Sequence, residues 1–109
     1  MRGVLIVMSE PALGADVTYN DWYDRVHLPE VLEVDGFRAA RRYVAEPSVH
    51  GELPPVPYLA IYEMEGDDLG AIQVALSTAA KTMQMTDAMN RPTITTYTYR
   101  LLTEVEAKP

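Results

Sequence analysis

The segment TYNDWYDRVHLPEVLEVDGFRAARRYVAE, residues 18–46, places a helical pattern directly before a strand pattern. Thr18 and Asp21 stand at capping-box spacing, which predicts that a helix begins there. Gly36 can adopt the left-handed conformation that closes a helix, so the helix is predicted to end near this glycine. Residues 37–46 show no helical stripe, follow a glycine and precede a proline, which favours a strand. The segment therefore predicts a helix, a tight turn and a strand.

Proline interrupts this helix. Pro29 has no backbone N–H, so the carbonyl of Arg25 loses its partner, and the helix is predicted to kink or to restart with Pro29 in a first turn. His27 lies just before the break. In the following strand, alternation predicts one face with Phe37, Ala39, Arg41 and Tyr43 and the other with Arg38, Ala40, Arg42 and Val44.

Outside this segment, the sequence predicts three further strands and one further helix. Apolar runs predict strands at 3–8 and 58–64, a helix capped by Asp67 or Asp68 and ending near Ala80, and a strand rich in threonine and tyrosine at 93–103. The proline-rich stretch 47–57 predicts a loop, and residues 81–92 predict at most one helical turn, from Thr86.

The predicted order is β-α-β-β-α-β, which is typical of an α+β ferredoxin-like fold with a four-stranded antiparallel sheet and both helices on one face. A chain of 109 residues fits a single domain, residues 1–109. The strands at 3–8 and 58–64 are apolar on both faces, so the second face also needs a cover. A second copy of the chain would supply it, which predicts a homodimer closed into a dimeric α+β barrel that encloses a pocket served by His27.

Composition excludes several classes of function. A net charge of −7 argues against nucleic acid and anionic membrane surfaces as partners. With no cysteine and two scattered histidines, a metal site is not expected, and no nucleotide-binding loop is present, so no cofactor is predicted. The apolar run at 3–8 is too short for a signal peptide or a membrane span. The sequence therefore predicts a soluble, cytoplasmic protein that binds a small molecule.

Residues 19–29, YNDWYDRVHLP, continued by Gly36-Phe37 and Arg41-Arg42-Tyr43, resemble the EthD-like branch of the dimeric α+β barrel superfamily. The resemblance implies a small homodimer. Relatives in the wider superfamily include cofactor-free quinone-forming monooxygenases, polyketide cyclases, a muconolactone methyl-isomerase and haem-degrading enzymes. The resemblance thus indicates a scaffold and not one reaction.

His27 is the main catalytic candidate because an imidazole exchanges a proton near neutral pH. Tyr23 and Asp24 lie four and three residues before it and Glu30 three after, so a neighbouring carboxylate could orient the ring. The resemblance favours a site at His27 over the alternative, in which it caps the carbonyl freed by Pro29 or pairs with Glu30 at the surface.

Candidate substrate-binding residues are aromatic side chains and arginines near this helix and on the strands: Trp22, Arg41, Arg42, Tyr97 and Tyr99. Guanidinium groups suit a carboxylate or enolate, and tyrosines suit an aromatic ligand. The competing interpretations are core packing for Trp22, salt bridges for the arginines and cross-strand packing for the tyrosines. In a structure, His27 is expected to face a cavity between helix and sheet with Tyr97 or a strand arginine opposite.

Three functions follow. The leading hypothesis is a cofactor-independent enzyme in which His27 acts as general acid or base on a small, mainly apolar catabolite that is aromatic, polyketide-like or a lactone. The reaction could be an isomerisation, elimination, cyclisation or oxygenation. The second is a non-catalytic dimer that binds a metabolite for a catabolic pathway. The third is haem binding or degradation, with His27 as axial ligand.

Overall fold

The computed structural model describes all 109 residues. It contains four strands, three α-helices and two short helical turns. In chain order these are β1 (Arg2–Ser9), α1 (Asp16–Trp22), a π-helical turn (Tyr23–His27), α2 (Leu28–Leu32), β2 (Phe37–Val44), β3 (Tyr58–Glu65), α3 (Leu69–Ala80), a 3-10 turn (Arg91–Thr93) and β4 (Thr95–Arg100). The strands form one antiparallel sheet in the order β2-β3-β1-β4. The predicted α+β ferredoxin-like fold is confirmed.

The two faces of the sheet differ. On the helix face, Leu5, Tyr62 and Met64 are buried in the core, and Thr98 donates a hydrogen bond to Gln73 of α3. Because side chains alternate along a strand, the neighbouring residues point the other way. We call this second side the open face; it carries Val4, Ile6, Met8, Ala39, Arg41, Tyr43, Leu59, Ile61, Glu63, Thr95, Tyr97 and Tyr99.

Helix α1 begins at Asp16, two residues before the predicted capping box, and Ala15 caps it without a side-chain hydrogen bond. The predicted start at Thr18 is therefore wrong. Gly14, with φ of 76°, forms the turn that leads into the helix, and Tyr19 N–H already donates to the Ala15 carbonyl. An acidic Asp16 in the first turn also suits the positive end of the helix dipole.

The predicted break at Pro29 is confirmed. The Leu28 N–H donates to the carbonyl of Tyr23, five residues back, and Pro29 lies in the first turn of α2. The π-helical turn widens the helix for one turn, and this accommodates the backbone N–H that Pro29 lacks. The wide turn ends at His27.

A β-bulge at the start of β2 corrects the predicted faces of this strand. Phe37 pairs with Met64 and Ala39 with Glu63, so the register shifts between them. Phe37 therefore lies on the helix face with Ala40 and Arg42, and the prediction that it shares a face with Ala39, Arg41 and Tyr43 is wrong.

Helix α3 is capped as predicted, because the Asp68 carboxylate accepts from the N–H groups of Gly70 and Ala71. β4 is shorter than the predicted strand at both ends, because Thr93 belongs to the 3-10 turn and residues 101–103 are in no strand. Residues 81–90 form no helix, so the turn predicted from Thr86 is absent. No helix in the structure has both the length and the apolar character that a membrane crossing requires.

Candidate functional site

The His27 side chain lies between the helical layer and the sheet of a single chain. Its ring stacks on Trp22 with centroids 4.5 Å apart and an interplanar angle of 15°. Tyr23 and Tyr62 meet it edge-on, at 5.4 and 6.3 Å between centroids. We call Trp22, Tyr23, His27, Glu30 and Tyr62 the His27 cluster. The residues on the other side of the sheet take no part in it.

Three polar atoms of this cluster are buried without a hydrogen-bond partner: His27 Nδ1, Glu30 Oε1 and the Tyr62 hydroxyl. No other buried side-chain nitrogen or oxygen in the protein lacks a partner. Buried polar groups are nearly always paired, because each unpaired one costs about 1–3 kcal/mol. Their concentration around one imidazole marks this place as a candidate site. His27 neither caps the Arg25 carbonyl nor forms a hydrogen bond with Glu30, which were the two competing structural roles.

Burial lowers the pKa of His27 below its ordinary value of 6.5, and the nearby Glu30 carboxylate opposes the shift only in part. The imidazole is therefore neutral at pH 7 and able to accept a proton. Burial also raises the pKa values of Tyr23 and Tyr62, so both phenols keep their protons.

Asp24 does not orient His27. Its carboxylate accepts a hydrogen bond from Arg42, with 2.8 Å between Nη1 and Oδ1, so the acid that faces the imidazole is Glu30. The second donor of Arg42 reaches Asn20 Oδ1, also at 2.8 Å. Asp24 is therefore paired with Arg42, which lies on the helix face of β2, and not with His27.

Arg42 is enclosed by aromatic rings as well. Its guanidinium carbon lies 4.5 Å from the centre of the Tyr23 ring, 5.2 Å from Tyr58 and 5.5 Å from Tyr19. The side chain is only 12% exposed. Arg42 is a neighbour of the His27 cluster, because the Tyr23 ring also touches His27 and because the charge of Arg42 acts on the Tyr62 phenol.

The other predicted substrate-binding residues divide in two. Trp22 is in the core, where its indole N–H donates to the Gln84 carbonyl at 3.0 Å while its face stacks on His27. Arg41, Tyr97 and Tyr99 lie on the open face, and Arg41 pairs with Glu63 at 3.1 Å. The sheet separates these three from His27. Of the groups expected opposite the imidazole, Tyr97 or a strand arginine, Tyr97 lies on the other side of the sheet and Arg42 lies on the same side as His27.

Two hollows are prominent in the surface, and neither includes His27. One, of about 810 Å³, lies beside residues 101–104 at the end of the sheet. The other, of about 260 Å³, adjoins the His27 cluster at Glu30; its lining is Glu30, Glu33, Val34, Ala79, Thr82 and Met83. The cavity expected in front of His27 is neither of these two hollows. Three aromatic rings surround the imidazole, and the nearer hollow lies one helical turn away, at Glu30.

The segment 81–90 closes this region. The Gln84 carbonyl accepts from Trp22, and the Gln84 N–H donates to Glu30 Oε2 at 3.3 Å. Met83 and Met89 pack against the core from the same segment. No group of three or more His, Asp or Glu side chains converges as a set of metal ligands.

Sequence reasoning missed two members of the cluster. Tyr62 was assigned only to a strand. A tyrosine within an apolar strand has a hydroxyl that needs a hydrogen-bond partner when it is buried, and this was a usable signal. Glu30 was considered as a partner of His27 but was not selected. Its carboxylate accepts a hydrogen bond from the Gln84 N–H, 54 residues later, which no local pattern connects to it.

Comparison with known proteins gives the fold. An ethyl tert-butyl ether D (EthD) family protein from Bacillus halodurans C-125 superposes with a TM-score of 0.60 and 16% identity, over 94% of this chain and 100% of that one. Rv0793 from Mycobacterium tuberculosis gives a TM-score of 0.60 at 12% identity, over 97% of this chain and 100% of that one. No family model matches the sequence. No curated protein matches it either. The resemblance seen in residues 19–29 is confirmed at the level of the fold.

Proposed function

We propose that this protein is a cofactor-independent enzyme in which His27 transfers a proton from or to a small, mainly apolar substrate. The observation that carries the proposal is the set of three unpartnered buried polar atoms, one on the neutral imidazole of His27 and two on its neighbours Glu30 and Tyr62. A substrate with matching polar atoms would satisfy them. The aromatic walls formed by Trp22, Tyr23 and Tyr62 favour an aromatic, polyketide-like or lactone substrate.

The chemistry suits a general base. A neutral imidazole has one free lone pair, and the positive charge that it gains on protonation is stabilised by the Glu30 carboxylate. Trp22 fixes the ring plane by stacking. Arg42 acts one step further away, because it holds the Tyr23 ring while its own donors are bound to Asp24 and Asn20.

The alternative is a metabolite-binding protein without turnover, which would use the same cluster. The two differ in one consequence, since only the enzyme accelerates proton exchange of a bound carbon acid.

We also propose that a second copy of the chain covers the open face. Only 15 of the 109 residues are buried in the single chain, and Tyr43, Tyr97 and Tyr99 lie exposed beside the apolar side chains of β1 and β3. Small domains gain stability from such additional burial. The His27 cluster lies on the opposite side of the sheet, so this pairing stabilises the scaffold and does not enclose the site.

Proton exchange tests the enzymatic proposal. Purified protein is mixed with aromatic ketones and unsaturated lactones, 1-tetralone and α-angelica lactone among them, and loss of the proton beside the carbonyl is followed by NMR in D2O. His27→Ala should slow catalysed exchange by about 10²- to 10⁴-fold. His50→Ala, at an exposed loop position, is the matched control and should change nothing. Equal rates in wild type and His27→Ala would overturn the proposal, and saturable binding without exchange would support the binding alternative.

A further inference from the structure

The Tyr62 hydroxyl forms no hydrogen bond of ordinary geometry, and the Tyr23 phenol is a polar neighbour that affects its pKa. Tyr62 projects from the middle of β3 on the helix face, the residue is 2% exposed, and its hydroxyl oxygen is buried without a partner. Its ring packs edge-on against His27 and Phe37, at 6.3 and 6.2 Å between centroids. Phenylalanine would make the same ring contacts without the cost of an unpaired hydroxyl.

The chemistry of this hydroxyl is that of a donor. Burial raises its pKa, so the phenol stays protonated through the whole range in which His27 is a neutral base. A fixed O–H group in a site without water binds an oxygen more strongly as that oxygen gains negative charge. The two groups are therefore complementary, one accepting a proton and the other stabilising the anion that remains.

We infer that the Tyr62 hydroxyl binds the oxygen of the substrate, so that substrates are compounds with an acidic C–H or O–H group conjugated to a hydrogen-bond-accepting oxygen. This inference rests on the proposed role of His27. In the reaction, a His27 nitrogen takes the proton, the C–H bond breaks, and its electron pair moves to the carbonyl oxygen to give an enolate. Tyr62 donates a hydrogen bond to this oxygen and keeps its own proton, so no further reactant is needed.

The surface offers a way in beside Glu30. This residue belongs both to the hollow of about 260 Å³ and to the His27 cluster, and Thr82 and Met83 of the segment 81–90 also line the hollow. That segment is held against the helices here by the two hydrogen bonds of Gln84. A small planar ligand would displace Met83 and Gln84 to reach His27 and Tyr62.

The test uses 4-nitrophenol, which has an acidic O–H and whose phenolate alone is yellow. Binding is measured by absorbance titration at pH 6, for wild type, Tyr62→Phe, His27→Ala and, as a matched control on the open face, Tyr97→Phe. In the wild type the bound probe should be phenolate, with its proton on His27. Tyr62→Phe should raise Kd about tenfold or more, as expected for a lost hydrogen bond to a charged oxygen, while Tyr97→Phe leaves Kd unchanged.

The outcomes separate the two proposals. If His27→Ala abolishes the phenolate signal but Tyr62→Phe binds like wild type, the inference about Tyr62 is overturned and the role of His27 stands. If neither variant changes the titration, or wild type does not bind the probe, both are overturned. Tyr62→Phe should also be at least as stable as wild type, because it removes an unpaired polar group. A loss of stability would show that the hydroxyl has a structural partner and would overturn the inference.

Discussion

Replacing Arg42 by alanine should destabilise the protein by about 3 kcal/mol. The guanidinium over the Tyr23 ring is largely desolvated, so this contact is worth about 1–2 kcal/mol. The hydrogen bond to Asn20 adds about 1 kcal/mol. Asp24 is 60% exposed, so its ion pair with Arg42 adds no more than about 1 kcal/mol.

Urea unfolding followed by the fluorescence of Trp22, the single tryptophan, measures this loss at one fixed protein concentration. Arg25→Ala is the control, because Arg25 has only an exposed pair with Asp21 and should cost about 0.5 kcal/mol or less. Arg42→Lys should recover less than half of the loss, since an ammonium lacks the planar fork. Losses within about 0.5 kcal/mol of each other for the two alanine variants would refute the stabilising role given to the aromatic enclosure of Arg42.

Three further predictions concern the site, a turn and the open face. As pH falls below 6.5, unfolded His27 gains a proton that the half-buried, partly desolvated imidazole of the folded protein resists. Wild type should therefore lose more thermal stability between pH 7 and 5 than His27→Gln, and equal losses would contradict the lowered pKa of His27. Gly36→Ala should lower the free energy of unfolding in urea by about 1–3 kcal/mol more than Gly51→Ala. Both glycines have positive φ, but only at Gly36 would an added Cβ meet Ile72, at 2.6 Å. Equal losses in the two variants would contradict this close packing. Light scattering should give twice the 12.2 kDa chain mass for wild type and the single mass for Ile6→Glu, whereas a monomeric wild type would refute the pairing of open faces.

Most of the fold could be predicted because it depends on residues that are close together in the sequence. The apolar runs of β1 and β3, the Asp68 cap and the Pro29 break each depend on residues close in sequence, and each lies where the pattern placed it. The bulge after Phe37 could not be predicted, because no residue type marks it and strand alternation assumes a constant register. That one shift decides which residues of β2 join Phe37 on the helix face.

The candidate site was only half predictable. His27 was found because its chemistry and the nearby proline stand out in the sequence, and Tyr23 because of helical spacing. Asp24 was misassigned as the partner of His27 because local spacing cannot show that an arginine eighteen residues later competes for it. Tyr62 joins the cluster through the packing of β3 under the helices, which no pattern within one element reveals.

The protonation of His27 tests the central claim most directly. His50→Gln leaves a single imidazole in the protein, and its ¹⁵N signals can be followed by NMR from pH 5 to 8. The account predicts a pKa below 6.5 and a neutral ring at pH 7, as expected for a partly desolvated imidazole whose buried Nδ1 has no protein partner. A pKa above 6.5, with the ring protonated at neutral pH, would contradict it.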